Sequence, residues 1–236
     1  MKIVIMKRIL NNSKKEKLEF LKKQDNVSLY GPYVEMCYNA MTHLKEHKGY
    51  EISDERLYER NYMISLSYMM GKYDGKEEKM SGLIVGGDSN KYVFGEYIRN
   101  AINEVKKIMK TKEILRFSAD YIAPDFIIHK NNRIKDINER NQKIIIEAKT
   151  KNKLLPKDFF DDFFKLNVYL SRLKFRYSIY LILNTSVSSI DDLIKRYIRA
   201  DYYTCEKCKN RMLFLVQEKE SDVPALYVFK KEPVIY

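Results

Sequence analysis

Lys143-Ile144-Ile145-Ile146-Glu147-Ala148-Lys149 is the stretch on which the fold of this chain turns. Three consecutive isoleucines predict a strand whose two faces are both buried, as in the middle of an α/β sheet. Glu147 and Lys149 stand two residues apart, so they project from the same sheet face. Upstream, Asp125-Phe126-Ile127-Ile128-His129 predicts another strand. Asn131-Asn132 opens a polar turn or loop lasting to about Gln142, so the two strands form an antiparallel hairpin. Before them, Ile114, Arg116-Phe117 and Tyr121-Ile122 predict a further strand.

Helices flank this group. Phe94, Ile98, Ala101, Ile102, Val105, Ile108 and Met109 recur at helical spacing, which predicts a helix from Tyr92 to Lys110. On the other side, Pro156 and Asp158 start a helix with Phe159, Phe163, Leu166, Leu170 and Leu173 on one face, widened by Phe160 and Phe164. Tyr177 to Leu183 is apolar and predicts a strand. Ser188-Ser189 is expected to cap a short helix carrying Leu193, Ile194 and Ile198. Met212 to Val216 and Ala225 to Phe229 complete the strands. The order helix, three strands, helix, strand implies an α/β fold with a mixed sheet and helices on both faces.

The first part of the chain, to Gly87, is expected to be mostly helical. Leu18 to Lys23 lies in a Lys-rich amphipathic stretch. Pro32 opens a helix through Met36, Tyr38 and Met41 to Leu44. Ser53-Asp54-Glu55 starts another through Tyr58, Met63, Leu66 and Met69, ended by Gly71 and Asp74-Gly75.

Of the 236 residues, 44 are Lys or Arg and 32 Asp or Glu, a net charge of +12. Such an excess favours polyanionic partners: DNA, RNA or an anionic membrane surface. No apolar run approaches the roughly 18 residues of a membrane span. Met1 to Lys7 is too short and too charged for a signal peptide, and the cysteine usage suits a reducing compartment, so a cytoplasmic protein is expected. Cys205-Glu206-Lys207-Cys208 lacks the second ligand pair of a structural zinc site, and its cysteines are read as ordinary thiols. No glycine pattern for nucleotide phosphates and no nucleophile elbow is present.

The chemistry gathers where the hairpin strands meet. Pro124-Asp125 opens one strand and Glu147-Ala148-Lys149 closes the other, so two carboxylates and an ammonium fall side by side at a strand edge, open to solvent. Charges ending buried strands need a partner, and a divalent cation supplies one. Hard carboxylate oxygens suit Mg²⁺ or Mn²⁺, which bind substrate phosphate and acidify water. Lys149 is placed to orient that water and to stabilise charge in the transition state.

These residues resemble the signature of the PD-(D/E)XK nuclease superfamily, and the element order from Gly87 to Asn184 is similar to its restriction-endonuclease-like αβββαβ core. The resemblance implies Asp125, Glu147 and Lys149 as catalytic residues. It implies Asp125, Glu147 and the Ala148 carbonyl as metal ligands, with a further acidic ligand on the preceding helix: Glu96, or alternatively Glu104. Lys151 and Lys153 would contact phosphate beside the scissile bond. His129, Asp120 and Asp136 receive no role. The division that follows is a helical subdomain for DNA recognition or dimerisation (1–87), a nuclease core (88–200) and a C-terminal β extension (201–236). The expected activity is Mg²⁺-dependent cleavage of double-stranded DNA by a homodimer, as in a Type II restriction endonuclease. The alternatives are a junction resolvase, a nickase subunit or defence nuclease of the same fold, or a nucleic-acid-binding protein without catalysis.

Overall fold

Strict alternation along the isoleucine strand divides the molecule into two cores. Ile144, Ile146 and Ala148 enter one, and Ile145 enters the other. The computed structural model describes residues 18–46, 55–73, 83–86, 91–108, 124–130, 141–150, 154–205, 208 and 210–235. In chain order the elements are β1 (Leu18–Gln24), a short 3-10 turn (Val27–Tyr30), α1 (Pro32–Glu46), α2 (Glu55–Tyr73), β2 (Leu83–Gly86), α3 (Lys91–Ile108), β3 (Phe126–Lys130) and β4 (Gln142–Thr150). Then come α4 (Pro156–Arg172), β5 (Tyr177–Leu183), α5 (Val187–Arg199), β6 (Met212–Gln217) and β7 (Ala225–Ile235).

The strands form one seven-stranded sheet in the order β1-β7-β6-β5-β4-β3-β2. It is mixed. β3 and β4 pair antiparallel, β4, β5 and β6 run parallel, and β7 returns antiparallel on β6. The two parallel steps use α4 and α5 as crossovers, as parallel pairing requires. Helices cover both faces. Residues of α3, α4 and α5 pack with Ile127, Ile145 and Tyr180 on one side. Residues of α1 and α2 pack with Phe126, Ile128, Ile144 and Ile146 on the other. There the Tyr62 ring meets Phe126 edge-on at 5.2 Å, and the Tyr62 hydroxyl donates to the Cys37 carbonyl at 3.0 Å. Burial pushes the Cys37 thiol up to about 12, so it stays protonated. Among the described residues no helix is long and apolar enough to cross a membrane.

Several local expectations change. Leu18 to Lys23 is strand, not helix: β1 pairs antiparallel with β7 at the sheet edge. Its register breaks between Glu19 and Leu21, so Phe20 and Leu21 are both buried, and the resulting spacing imitates one helical face. Four residues before α3 form β2, which pairs antiparallel with β3. Helix α2 ends at Tyr73, between the expected breakers Gly71 and Asp74-Gly75. The cap of α5 is Ser186, whose hydroxyl accepts the Ser189 N–H, rather than Ser188 or Ser189. Cys205 and Cys208 are joined in a disulfide rather than left as thiols. Their Cα atoms lie 5.4 Å apart, inside the range a disulfide spans. The expected strand Ile114 to Ile122 lies outside the described residues.

At the β1 irregularity, the backbone N–H groups of Phe20 and Leu21 both donate to Asp191 Oδ1 on α5, at 2.5 and 3.3 Å. Lys195, one turn on, lies 2.9 Å from the same carboxylate. This buried carboxylate pins the edge strand to the body. Asp191→Ala is expected to lower stability by about 1–3 kcal/mol, the loss for buried donors left without an acceptor. Urea unfolding measures the loss, and amide exchange at Phe20 and Leu21 should accelerate more than in β5. An unchanged unfolding midpoint would refute the pinning.

Candidate active site

The β3–β4 register pairs Phe126 with Ile146. One step further along each strand sets Asp125 across from Glu147, and cross-strand neighbours share a face. The Ala148 N–H donates to Asp125 Oδ2 at 2.7 Å, which fixes the carboxylate against the end of β4. Glu147 and Lys149 follow Ile145 in alternation, so all three expected residues gather on the face covered by α4. The Ala148 side chain points into the opposite core.

Helix α4 completes the cluster. Asp162 and Lys165 sit one turn apart and form an ion pair, Lys165 Nζ to Asp162 Oδ1 at 2.7 Å. The same ammonium lies 3.0 Å from Glu147 Oε1. Lys149 Nζ reaches Asp162 Oδ2 at 3.4 Å. One turn beyond Lys165, the Tyr169 hydroxyl donates to Glu147 Oε1 at 3.2 Å. On β5, beside Glu147 in the parallel register, Tyr180 donates to Asp162 Oδ2 at 3.2 Å. Both tyrosines are fully buried, and Tyr180 stacks on Phe159 at 5.4 Å.

Burial governs the electrostatics. Glu147 is 1 % exposed, and desolvation pushes its carboxyl well above the usual range; Lys165 opposes that, while Asp125 and Asp162 reinforce it. Asp125 is raised by burial as well, against the pull of Lys149 and the Ala148 N–H. Burial would also raise Asp162, but Lys165 and Lys149 outweigh it and hold this carboxyl below its ordinary value. Burial would lower Lys165, yet Asp162 and Glu147 more than compensate and keep its ammonium charged. The Asp162–Lys165 pair is therefore ionised, and Lys165 is at the same time a counter-charge to Glu147. Among the described residues of the cluster, three carboxyl groups face two ammoniums.

The expected openness to solvent is not found at Glu147, which is buried because Lys165 and Tyr169 of α4 lie over it, whereas Asp125 and Lys149 are half-buried. Glu104 turns away from the cluster and lies 3.9 Å from Arg172 at the far end of α4. Glu96 belongs to α3, but its side chain lies outside the described residues, as do Lys151, Lys153, Asp120 and Asp136. His129 pairs with Gln142 at the other end of the strand pair, about 13 Å along β3 from Asp125 at 3.3 Å per residue. Among the described residues no three His, Cys, Asp or Glu side chains gather closely enough to hold a metal ion. A pair of carboxylates does fit Mg²⁺, which usually takes one or two and fills its remaining positions with water and substrate phosphate. Asp162, Lys165, Tyr169 and Tyr180 were not singled out from sequence. The available signal was an acid and a base at i,i+3 bordering the phenylalanine stripe of α4.

Comparison of the chain with protein-family models, with characterised proteins and with solved structures returned no match.

Asp161 stands beside this cluster, half-buried, and its Oδ1 has no hydrogen-bond partner among the described residues. Burial first, and then the Asp162 charge, lift it from its ordinary 3.8 to about 6. The folded protein therefore holds this proton more tightly than the unfolded chain does, and ionisation of Asp161 opposes folding above about pH 6. Asp161→Asn should melt higher than the wild type at pH 7.5, with the gap closing as pH falls through 6 towards 4. Melting curves across this range check it, and a gap independent of pH would contradict the assignment.

Proposed function

We propose that this chain is a divalent-metal-dependent nuclease of the PD-(D/E)XK, restriction-endonuclease-like class, cleaving double-stranded DNA. One observation carries the reading: Asp125 and Glu147 face each other across β3 and β4, with Lys149 on the same sheet face. The element order around them supports it, since an antiparallel strand pair is followed by a helical crossover to a parallel strand. The net charge of +12 supplies the attraction to a polyanion.

In this reading the carboxylates of Asp125 and Glu147, with the Ala148 carbonyl, hold Mg²⁺ or Mn²⁺, and Glu96 is the candidate for a further ligand. The cation supplies charge neutralisation at the phosphoryl oxygens and acidifies water. The Ala148 N–H holds Asp125 in place through Oδ2. Lys149 carries a positive charge on the same face and stabilises the negative charge that builds up on the scissile phosphate. Asp162 keeps Lys149 directed at the cluster rather than into solvent. Lys151 and Lys153 bind neighbouring phosphates. Cleavage of both strands with one site per chain calls for a homodimer, whose two-fold symmetry suits a palindromic Type II site.

Purified protein incubated with plasmid DNA should cut in Mg²⁺ or Mn²⁺ and stop cutting in EDTA. Glu147→Gln and Lys149→Ala should each lower the cleavage rate at least about 100-fold, the scale for one lost transition-state contact. Gel-shift affinity for DNA should change little, because binding rests on many phosphate contacts. Undiminished cleavage in excess EDTA, or a folded Lys149→Ala protein cutting at the wild-type rate, would overturn the proposal.

A further inference from the structure

Lys165 sits where a cation would be most useful. Its ammonium lies 3.0 Å from Glu147 Oε1 and 2.7 Å from Asp162 Oδ1, and Asp125 is close enough to act on it electrostatically. We infer that the Lys165 ammonium is an internal stand-in for the divalent cation: it neutralises Glu147 in the metal-free protein and leaves Glu147, keeping Asp162, when a cation binds. This rests on the metal-site reading above and adds to it a residue that sets how tightly the cation is held.

Three features support the exchange. First, Glu147 is buried, and a buried carboxylate without a counter-charge is strongly destabilising, so the metal-free protein needs a substitute. Second, Asp162 has a separate oxygen for each lysine, Oδ1 for Lys165 and Oδ2 for Lys149. Lys165 can therefore leave Glu147 without becoming an unpaired buried charge. The partner it keeps is its i,i+3 neighbour on α4, and the partner it gives up belongs to another element. Third, a lysine is a compact charge on a four-carbon stem that swings by rotamer change alone, and the Lys165 side chain retains 13 % exposure. Tyr169 remains on Glu147 throughout and keeps the carboxylate oriented.

The test uses the full chain without DNA. Thermal melts of wild type, Lys165→Met and Lys165→Gln are recorded in EDTA and then across a Mn²⁺ titration. Both variants should melt below the wild type in EDTA. Their Mn²⁺ midpoints should fall about tenfold, the size expected when a like charge a few ångströms from the cation is removed. Adding Glu147→Gln to Lys165→Met should abolish that gain. The inference is overturned by a midpoint within twofold of wild type in any folded variant, by a gain that survives Glu147→Gln, or by variants that stay unfolded even in saturating Mn²⁺. Failure of the nuclease proposal would appear separately, as wild-type protein that cuts no DNA whatever Mn²⁺ does to its melting.

Discussion

The ion pair between Asp162 and Lys165 is the interaction on which the candidate site depends. It lies under helix α4, against a sheet face otherwise filled by Ile127, Ile145, Phe159, Phe163 and Tyr180. In such surroundings an isolated charge is unaffordable, and every ionised group must find its complement within a few ångströms. Asp162 supplies complements to both lysines, and Lys165 in turn supplies one to Glu147. Without that helix, Glu147 and Lys149 would close β4 as an unmatched acid and base. With it, their positions follow from two rigid elements and the register between them.

That register is itself a result of the topology. The parallel step from β4 to β5 needs a crossover helix, and α4 is that helix. A crossover in this position lies over the strands it connects, so residues on its inner face meet the side chains of β4. The same parallel pairing sets Tyr180 beside Glu147, and its hydroxyl reaches Asp162 on α4. The fold thus delivers three elements, β4, α4 and β5, to one point, and β3 adds Asp125 from the antiparallel side.

Much of this was legible in the sequence, and the boundary of legibility has a physical cause. The isoleucine run marks a doubly buried strand, and two-residue alternation puts Glu147 and Lys149 on one face. The phenylalanine periodicity of α4 announced its buried side. Neither pattern shows which residues of a helix meet which residues of a strand, because that depends on how the crossover lands. Asp162 and Lys165 therefore looked like ordinary helix charges. The same limit explains β1. Strand identity there comes from pairing with β7, some two hundred residues away, and the break in register removes the alternation that would have marked it. The pairing of Cys205 with Cys208 is likewise not specified by their spacing alone.

The cluster also bears on why these polar groups are present at all. Replacing a buried ionic network by apolar residues of similar volume is commonly neutral or stabilising. The surroundings here would accept such a replacement readily, since aromatic and branched aliphatic side chains already fill the rest of that face. Stability alone thus gives no reason to keep three carboxyl groups, two ammoniums and two buried phenols at one point. Their hydrogen bonds interlock: Tyr169 serves Glu147, Tyr180 serves Asp162, and the Ala148 N–H serves Asp125. Buried groups with perturbed ionisation held in one definite geometry are what the proposed catalytic role requires. Among the described residues the carboxyl groups of the cluster outnumber its ammoniums, which is the balance the proposed cation would meet.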